Sequence, residues 1–187
     1  MPSSPRDLDP HRLDVAAFAA AGAELSGAWP AQRLTRLVAA TLAPEDGTAR
    51  PVVDWRASGE RRVLAGAGRQ PTLSVGADTE VTLECQRCLQ PMTVLLEAER
   101  SIFFVEGEDA AAALDAESED DVLALTPALD LEALIEDELL LALPLIPRHG
   151  VCPEPLPRPF IDEDGAAVPA DNPFAALAAL KRGSLPS

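Results

Sequence analysis

Two cysteines separated by two residues, Cys85 and Cys88, are the side chains whose type and spacing point most directly to chemistry. They lie in the heptapeptide Cys-Gln-Arg-Cys-Leu-Gln-Pro, residues 85–91, which we call the cysteine knuckle. Thiols at this spacing can share a metal ion, cycle through a disulfide, or pack inside a turn. The knuckle is therefore the first candidate for a functional site.

A zinc site is one interpretation of the knuckle. His149 and Cys152 form a second pair with the same two-residue gap. Together with Cys85 and Cys88 they would complete a Cys3His tetrahedron, which is a structural rather than a catalytic arrangement. The pairs lie about 60 residues apart in sequence, so this interpretation requires the fold to bring them together.

Two other interpretations stay open. A redox-active CxxC needs a helix N-terminus after its first cysteine to lower the thiol pKa, whereas Pro91 and strand-like residues flank this one. Alternatively, the two small thiols and Arg87 simply fix a hairpin turn.

The sequence contains no recognisable enzyme motif. His11 and His149 are the only histidines, and neither belongs to a known nucleophile motif. Phosphate-binding, dinucleotide-binding, serine hydrolase and zinc protease signatures are absent from the sequence. We predict that the protein is not an enzyme.

The charge of the chain favours some partners over others. Fifteen basic residues face 31 acidic ones, which gives a net charge of −16 at pH 7, and Lys181 is the single lysine. Nucleic acid binding normally relies on Lys and Arg contacts to phosphates, so strong non-specific RNA binding is disfavoured, although arginines in the first hundred residues leave room for a local basic face. The field of the chain attracts basic partners instead.

The same bulk features predict a cytoplasmic location. No apolar run approaches the length that spans a bilayer, and residues 1–10 do not resemble a secretory signal. Three cysteines, an odd number, argue against a secreted disulfide framework. We predict a cytoplasmic protein with no membrane association.

The hydrophobic pattern predicts an α+β fold in which a small antiparallel sheet carries the knuckle. Helices are predicted from Asp9-Pro10 to about Gly22 and from Pro30 to about Pro44. Between the second of these helices and the acidic stretch that begins at Glu106, the residues are β-branched, partly alternating, and punctuated by glycine and proline. This pattern predicts short strands. The five predicted strands are 51–55, 72–75, 81–84, 93–96 and 101–105.

An amphipathic helix is predicted over Leu131–Ala142. Asp130 is its expected N-cap, and Pro144 prevents its continuation. Leucine and isoleucine side chains fall on the face that should pack on the sheet. The face predicted to meet solvent carries Glu132, Glu136 and Asp137.

Three segments lie outside this predicted core. The acidic, alanine-rich stretch 106–121 is predicted to be a solvated loop, with a docking site for a basic partner as the alternative. A proline-rich linker is expected at about 151–170 and a C-terminal helix at about 173–182. We predict one domain, 1–187, with its core at about 14–150.

Three segments, taken in order, resemble the YceD family of large ribosomal RNA subunit accumulation proteins. They are the cysteine knuckle, residues 130–149 and residues 172–181. The resemblance extends from about Asp14 to Lys181. The residues that match the family motif are Cys85, Arg87, Cys88, Leu89 and Pro91.

The resemblance implies a role in synthesis, processing or accumulation of large-subunit (23S) ribosomal RNA, in a family without an established enzymatic activity. Some relatives carry more cysteines after the segment that contains Pro144 and Pro147, whereas this chain retains only Cys152 there. We expect a non-enzymatic ribosome-biogenesis factor that binds a basic ribosomal protein or a large-subunit assembly factor and meets ribosomal RNA indirectly rather than directly. The alternatives are a zinc-binding or thiol-redox module built on Cys85 and Cys88, and an RNA-processing enzyme without a recognisable motif.

Overall fold

The elements of the fold come from a computed structural model, which describes residues 8–44 and 50–154. All of them lie within one compact unit, Met1–Cys152. A short 3₁₀ turn, Ala31–Arg33, precedes the second helix. In chain order the helices and strands are α1 (Val15–Ala21), β1 (Glu24–Pro30), α2 (Thr35–Ala40), β2 (Val52–Leu64), β3 (Gly68–Glu84), β4 (Pro91–Val105), α3 (Glu108–Glu117), β5 (Asp121–Ala124) and α4 (Leu131–Leu141).

A five-stranded sheet in the order β1-β2-β3-β4-β5 confirms the predicted α+β class. The first four strands pair antiparallel, as predicted, whereas β5 pairs parallel with β4 and makes the sheet mixed. A parallel neighbour requires a crossover, and α3 supplies it.

The prediction of five short strands is wrong, because β2, β3 and β4 are long and continuous. The segment 51–55 lies mostly in β2, the next two lie in β3, and the last two lie in β4. Along β4, exposed Glu97 and Glu99 alternate with buried Leu96 and Ala98. These charged residues lie on the solvent-exposed face of one continuous strand, and they do not indicate a loop between two strands.

The start of the first helix and the strand after it were not predicted correctly. α1 begins at Val15, because Asp14 rather than Asp9 is the N-cap, and the Asp14 carboxylate accepts from the Ala17 N–H at 2.9 Å. The predicted end at Gly22 is confirmed, with φ of 59°. β1 was missed: most of its residues are exposed, so it lacks the apolar alternation of a central strand.

The core lies between one face of the sheet and helices α1, α2 and α4. Phe18 of α1, Leu37 of α2 and Ile135 of α4 are almost completely buried. The contact of α1 is so close that a Cβ atom at Gly59 of β2 would lie 2.5 Å from the Phe18 ring. The strand residues that face these helices include Val53, Trp55, Leu73, Val75, Ala77, Val81, Leu96 and Ile102.

The acidic stretch 106–121 is not a loop, contrary to the prediction. It forms α3 and the start of β5. Alanine favours a helix, and the acidic residues at its first turn suit the positive end of the helix dipole. Ala111 and Leu114 anchor α3 to a second small core that includes Phe103 and Val122.

α4 runs over Leu131–Leu141 with Asp130 as its N-cap, which confirms the predicted helix. Glu136, however, was predicted on the solvent face and is buried. Its carboxylate accepts from the Arg36 N–H at 2.7 Å, from Arg36 Nε at 2.8 Å and from the Leu37 N–H at 3.2 Å. This buried carboxylate therefore joins α4 to α2.

The remaining predictions fall mainly outside the described residues. Of the predicted linker, 151–170, the structure describes only residues 151–154, which lie in neither a helix nor a strand. The C-terminal helix predicted at 173–182 lies outside the described residues entirely. Within the part of the chain that the structure describes, no helix is both long and apolar enough to cross a membrane.

Candidate functional site at the cysteine knuckle

The cysteine knuckle is the turn that joins β3 to β4. Glu84 and Pro91 form the last pair of the two strands. Between them, the Cys85 N–H donates to the Gln90 carbonyl at 3.0 Å, and the Leu89 N–H donates to the Cys85 carbonyl at 2.8 Å. The turn is thus closed by its own backbone hydrogen bonds and contains both cysteines.

A second segment, residues 147–152, lies alongside the knuckle. The Gln86 N–H donates to the Pro147 carbonyl at 2.9 Å, and Arg87 Nη2 donates to the His149 carbonyl at 2.8 Å. Proline cannot continue a helix, so Pro144 and Pro147 keep the chain after α4 in irregular structure. This backbone then reaches the knuckle through polar contacts.

The two segments bring together Cys85, Cys88, His149 and Cys152. One ligand atom from each of the four lies within 4.8 Å of those from the other three. Cys88 Sγ is 3.4 Å from His149 Nδ1, and the His149 N–H donates to Cys85 Sγ at 3.4 Å. We call these four residues the thiol–imidazole cluster.

The three thiols of the cluster are free, and their environments differ. Burial raises the pKa of Cys85, but backbone N–H groups of His149, Arg87 and Cys88 donate to its sulfur and lower the pKa to about 5. Burial raises the pKa of Cys88, and the sulfurs of Cys152 and Cys85 add to the effect. Cys85 is the sulfur best prepared to be a thiolate.

Arg87 ties the two segments together from the outside. Its Nε donates to Cys152 Sγ at 3.1 Å, and this contact raises the pKa of the Arg87 guanidinium. A permanent positive charge here compensates negative charge on the thiols. Arg87 thus has both a structural contact and an electrostatic one with the cluster.

The donor set matches what a structural zinc ion needs. A tetrahedral zinc ion binds sulfur at about 2.3 Å, which places two thiolates about 3.8 Å apart. The four donor atoms would therefore have to approach one another by about 1 Å at most to close on an ion. With three thiols and one imidazole, no coordination position would remain for a substrate.

The other motif residues and the second histidine lie apart from the donor atoms. Pro91 begins β4, and Leu89, with φ of 61°, is the one non-glycine residue of the described chain in the left-handed region. This conformation was not foreseen, because leucine gives no local signal for it. His11 lies instead beside Arg33, 3.0 Å from its Nη2, and near Glu132.

The fold and the cluster together define an α+β domain with a closed thiol–imidazole centre at one sheet turn. The family described as "Large ribosomal RNA subunit accumulation protein YceD" matches residues 73–181, which include the whole cluster. The chain belongs to the YceD family.

A curated relative supports this assignment. The Large ribosomal RNA subunit accumulation protein YceD of Haemophilus influenzae is 38% identical over 117 residues, which cover 55% of this chain and 61% of that protein. The chain therefore spans about three fifths of the length of this relative. No solved structure matches the chain.

Proposed function

We propose that the protein is a non-enzymatic factor that supports the accumulation of large-subunit ribosomal RNA and works in the cytoplasm, where bacterial ribosomes assemble. The observation that carries this proposal is the family match over residues 73–181, which includes the knuckle, α4 and all four residues of the cluster. The closed donor set also suits a structural centre better than a catalytic one.

The proposed partners are basic proteins, either a large-subunit ribosomal protein or an assembly factor. Seven carboxylates on and around α3 are exposed, and no ion pair is found for them within the described residues. Such a surface repels RNA phosphates and speeds encounter with basic proteins. These seven residues are Glu106, Glu108, Asp109, Asp115, Glu117, Glu119 and Asp120.

Charge-neutral substitution tests the partner proposal better than deletion, because α3 packs on the second core. Glu106→Gln, Glu108→Gln and Glu117→Gln together should weaken binding to purified basic proteins of the large subunit at low salt. Glu24→Gln, Glu80→Gln and Glu97→Gln change the net charge equally on the sheet and serve as the matched control. Equal loss in both triple variants would mean that total charge, not the α3 surface, attracts the partner.

As a second candidate function, we infer that the thiol–imidazole cluster binds a structural zinc ion. The supporting observation is that all four donors lie within 4.8 Å of one another. Protein purified without a His tag should contain one zinc ion per chain by plasma mass spectrometry, and Cys88→Ser should remove it. A metal-free wild type that forms a reversible Cys85–Cys88 disulfide would favour the redox alternative.

The proposed cellular role is tested by the ratio of large- to small-subunit ribosomal RNA in cells that lack the protein. We expect the ratio to fall and the wild-type gene to restore it, whereas Cys85→Ser/Cys88→Ser should fail. Rescue by both would keep the role and reduce the cysteines to local structure. An unchanged ratio in cells without the protein would contradict the proposal.

A further inference from the structure

Four large apolar side chains that lie close to the thiol–imidazole cluster in the sequence are exposed. Leu89 belongs to the knuckle, Leu145 and Ile146 lie between α4 and residues 147–152, and Val151 belongs to residues 147–152. We call these four residues the apolar rim. They are between 58% and 100% exposed. Large apolar side chains that are exposed on two adjoining segments are a typical feature of an interaction surface.

The backbone at Leu89 suggests that its side chain is there for contact and not for folding. Its φ of 61° is a conformation that glycine adopts freely and that costs other residues roughly 1–2 kcal/mol. The side chain is 67% exposed, so burial within the described chain does not offset that cost. Strained backbone of this kind clusters at binding and switch sites.

Hydrogen bonds between the knuckle and residues 147–152 join the backbone segments that carry the apolar rim. Leu89 follows Cys88 directly, and Val151 precedes Cys152 directly. The hydrogen bond from the Gln86 N–H to the Pro147 carbonyl joins the knuckle to the residue that follows Ile146. The contacts that assemble the cluster therefore also join the backbone that carries Leu89 to the backbone that carries Ile146 and Val151.

Charge indicates what kind of molecule this surface fits. The chain has a net charge of −16, and near the rim Glu84 and Arg148 are both exposed. The Arg87 guanidinium is already engaged by Cys152 and His149. The net charge of the chain disfavours a polyanion such as RNA, whereas a basic partner with apolar side chains suits both that net charge and the exposed apolar residues.

We propose that the apolar rim is the docking surface for apolar side chains of a basic protein partner. The long-range field of the acidic chain brings the partner close, and the rim provides the contacts that keep it bound. This inference deepens the proposed role in large-subunit assembly and rests on it for the choice of partner class.

The test uses the full-length chain and two double variants. Leu145→Ser/Ile146→Ser disrupts the rim, and Val63→Ser/Leu95→Ser is the matched control, since those two residues are similarly exposed on the sheet but lie outside the rim. The probes are individual purified basic proteins of the large ribosomal subunit. We expect one of them to bind the wild type and the control alike and the rim variant about tenfold or more weakly. Thermal melting and zinc content should be unchanged in both variants.

The same variants in the cellular assay separate this inference from the proposed function. If the wild-type gene restores the ribosomal RNA ratio and the rim variant restores it equally, the rim has no such role although the proposed function stands. If the wild-type gene has no effect on the ratio, the proposed function itself fails. A wild-type dimer that the rim substitutions dissociate, or protein-free ribosomal RNA whose binding they abolish, would identify a different occupant and overturn the proposal.

Discussion

The sheet–helix core and the cysteine knuckle differ in which residue types they bury and which they expose. In the core, Phe18, Leu139 and Ile135 are buried and carboxylates are mostly outside. At the knuckle, Cys85 is completely buried, while Leu89 of the same turn and the rim residues Leu145, Ile146 and Val151 are exposed. One region is held by apolar burial, and the other is held by sulfur, imidazole and backbone polar contacts.

This contrast shows where each region gains its stability. Burying a leucine side chain contributes roughly 1.5–3 kcal/mol, so the core needs no special chemistry. The segment 147–152 buries little apolar surface and depends on a few directional contacts. It can therefore expose an apolar side chain such as that of Val151 without unfolding the domain.

The largest expected effect is a difference in the free energy of unfolding between substitutions of two leucines, one before Pro144 and one after it. Leu139→Ala removes a fully buried side chain and should lower the free energy of unfolding by about 2–5 kcal/mol. Leu145→Ala truncates a fully exposed side chain and should change it by less than about 0.5 kcal/mol. Urea unfolding of both variants measures the difference, and equal losses would show that the segment after α4 is part of the core.

A smaller effect is expected at the buried carboxylate between α2 and α4. Glu136→Gln removes the charge that accepts from Arg36 and Leu37 and should lower the free energy of unfolding by about 1.5–3 kcal/mol. Asp137→Asn alters the exposed partner of Arg36 and should lower the free energy of unfolding by less than about 1 kcal/mol. Thermal melting compares them, and the reverse order would contradict the burial of Glu136.

The smallest expected effect has the opposite sign. Leu89→Gly relieves a left-handed residue whose side chain is largely exposed, so the free energy of unfolding should rise by up to about 1 kcal/mol. Gln90→Gly, one residue on, relieves no such strain and should lower it by about 0.5–1 kcal/mol. A destabilised Leu89→Gly variant would indicate that this leucine serves the fold rather than a partner.

The α+β class, the helix that follows Asp130 and the two cysteine-containing pairs were predictable from the sequence, because each depends on a local pattern. The union of 72–75 and 81–84 in one strand was not, since the continuity of β3 comes from pairing along both of its edges. The helix within 106–121 was not predictable either, because Ala111 and Leu114 become apolar anchors only against Phe103 and Val122. The left-handed Leu89 and the burial of Glu136 likewise depend on contacts between distant parts of the chain.

The most direct test of the central claim is hydrogen exchange at the Gln86 and His149 amides. These N–H groups donate to the Pro147 carbonyl and to Cys85 Sγ, so they report whether residues 147–152 stay on the knuckle. If the thiol–imidazole cluster holds this segment, Cys88→Ser and metal chelation should each speed exchange at both amides about tenfold or more, while the Val75 amide in β3 stays protected. Unchanged exchange at Gln86 and His149 would contradict the claim, because the polypeptide contacts alone would then hold the site together.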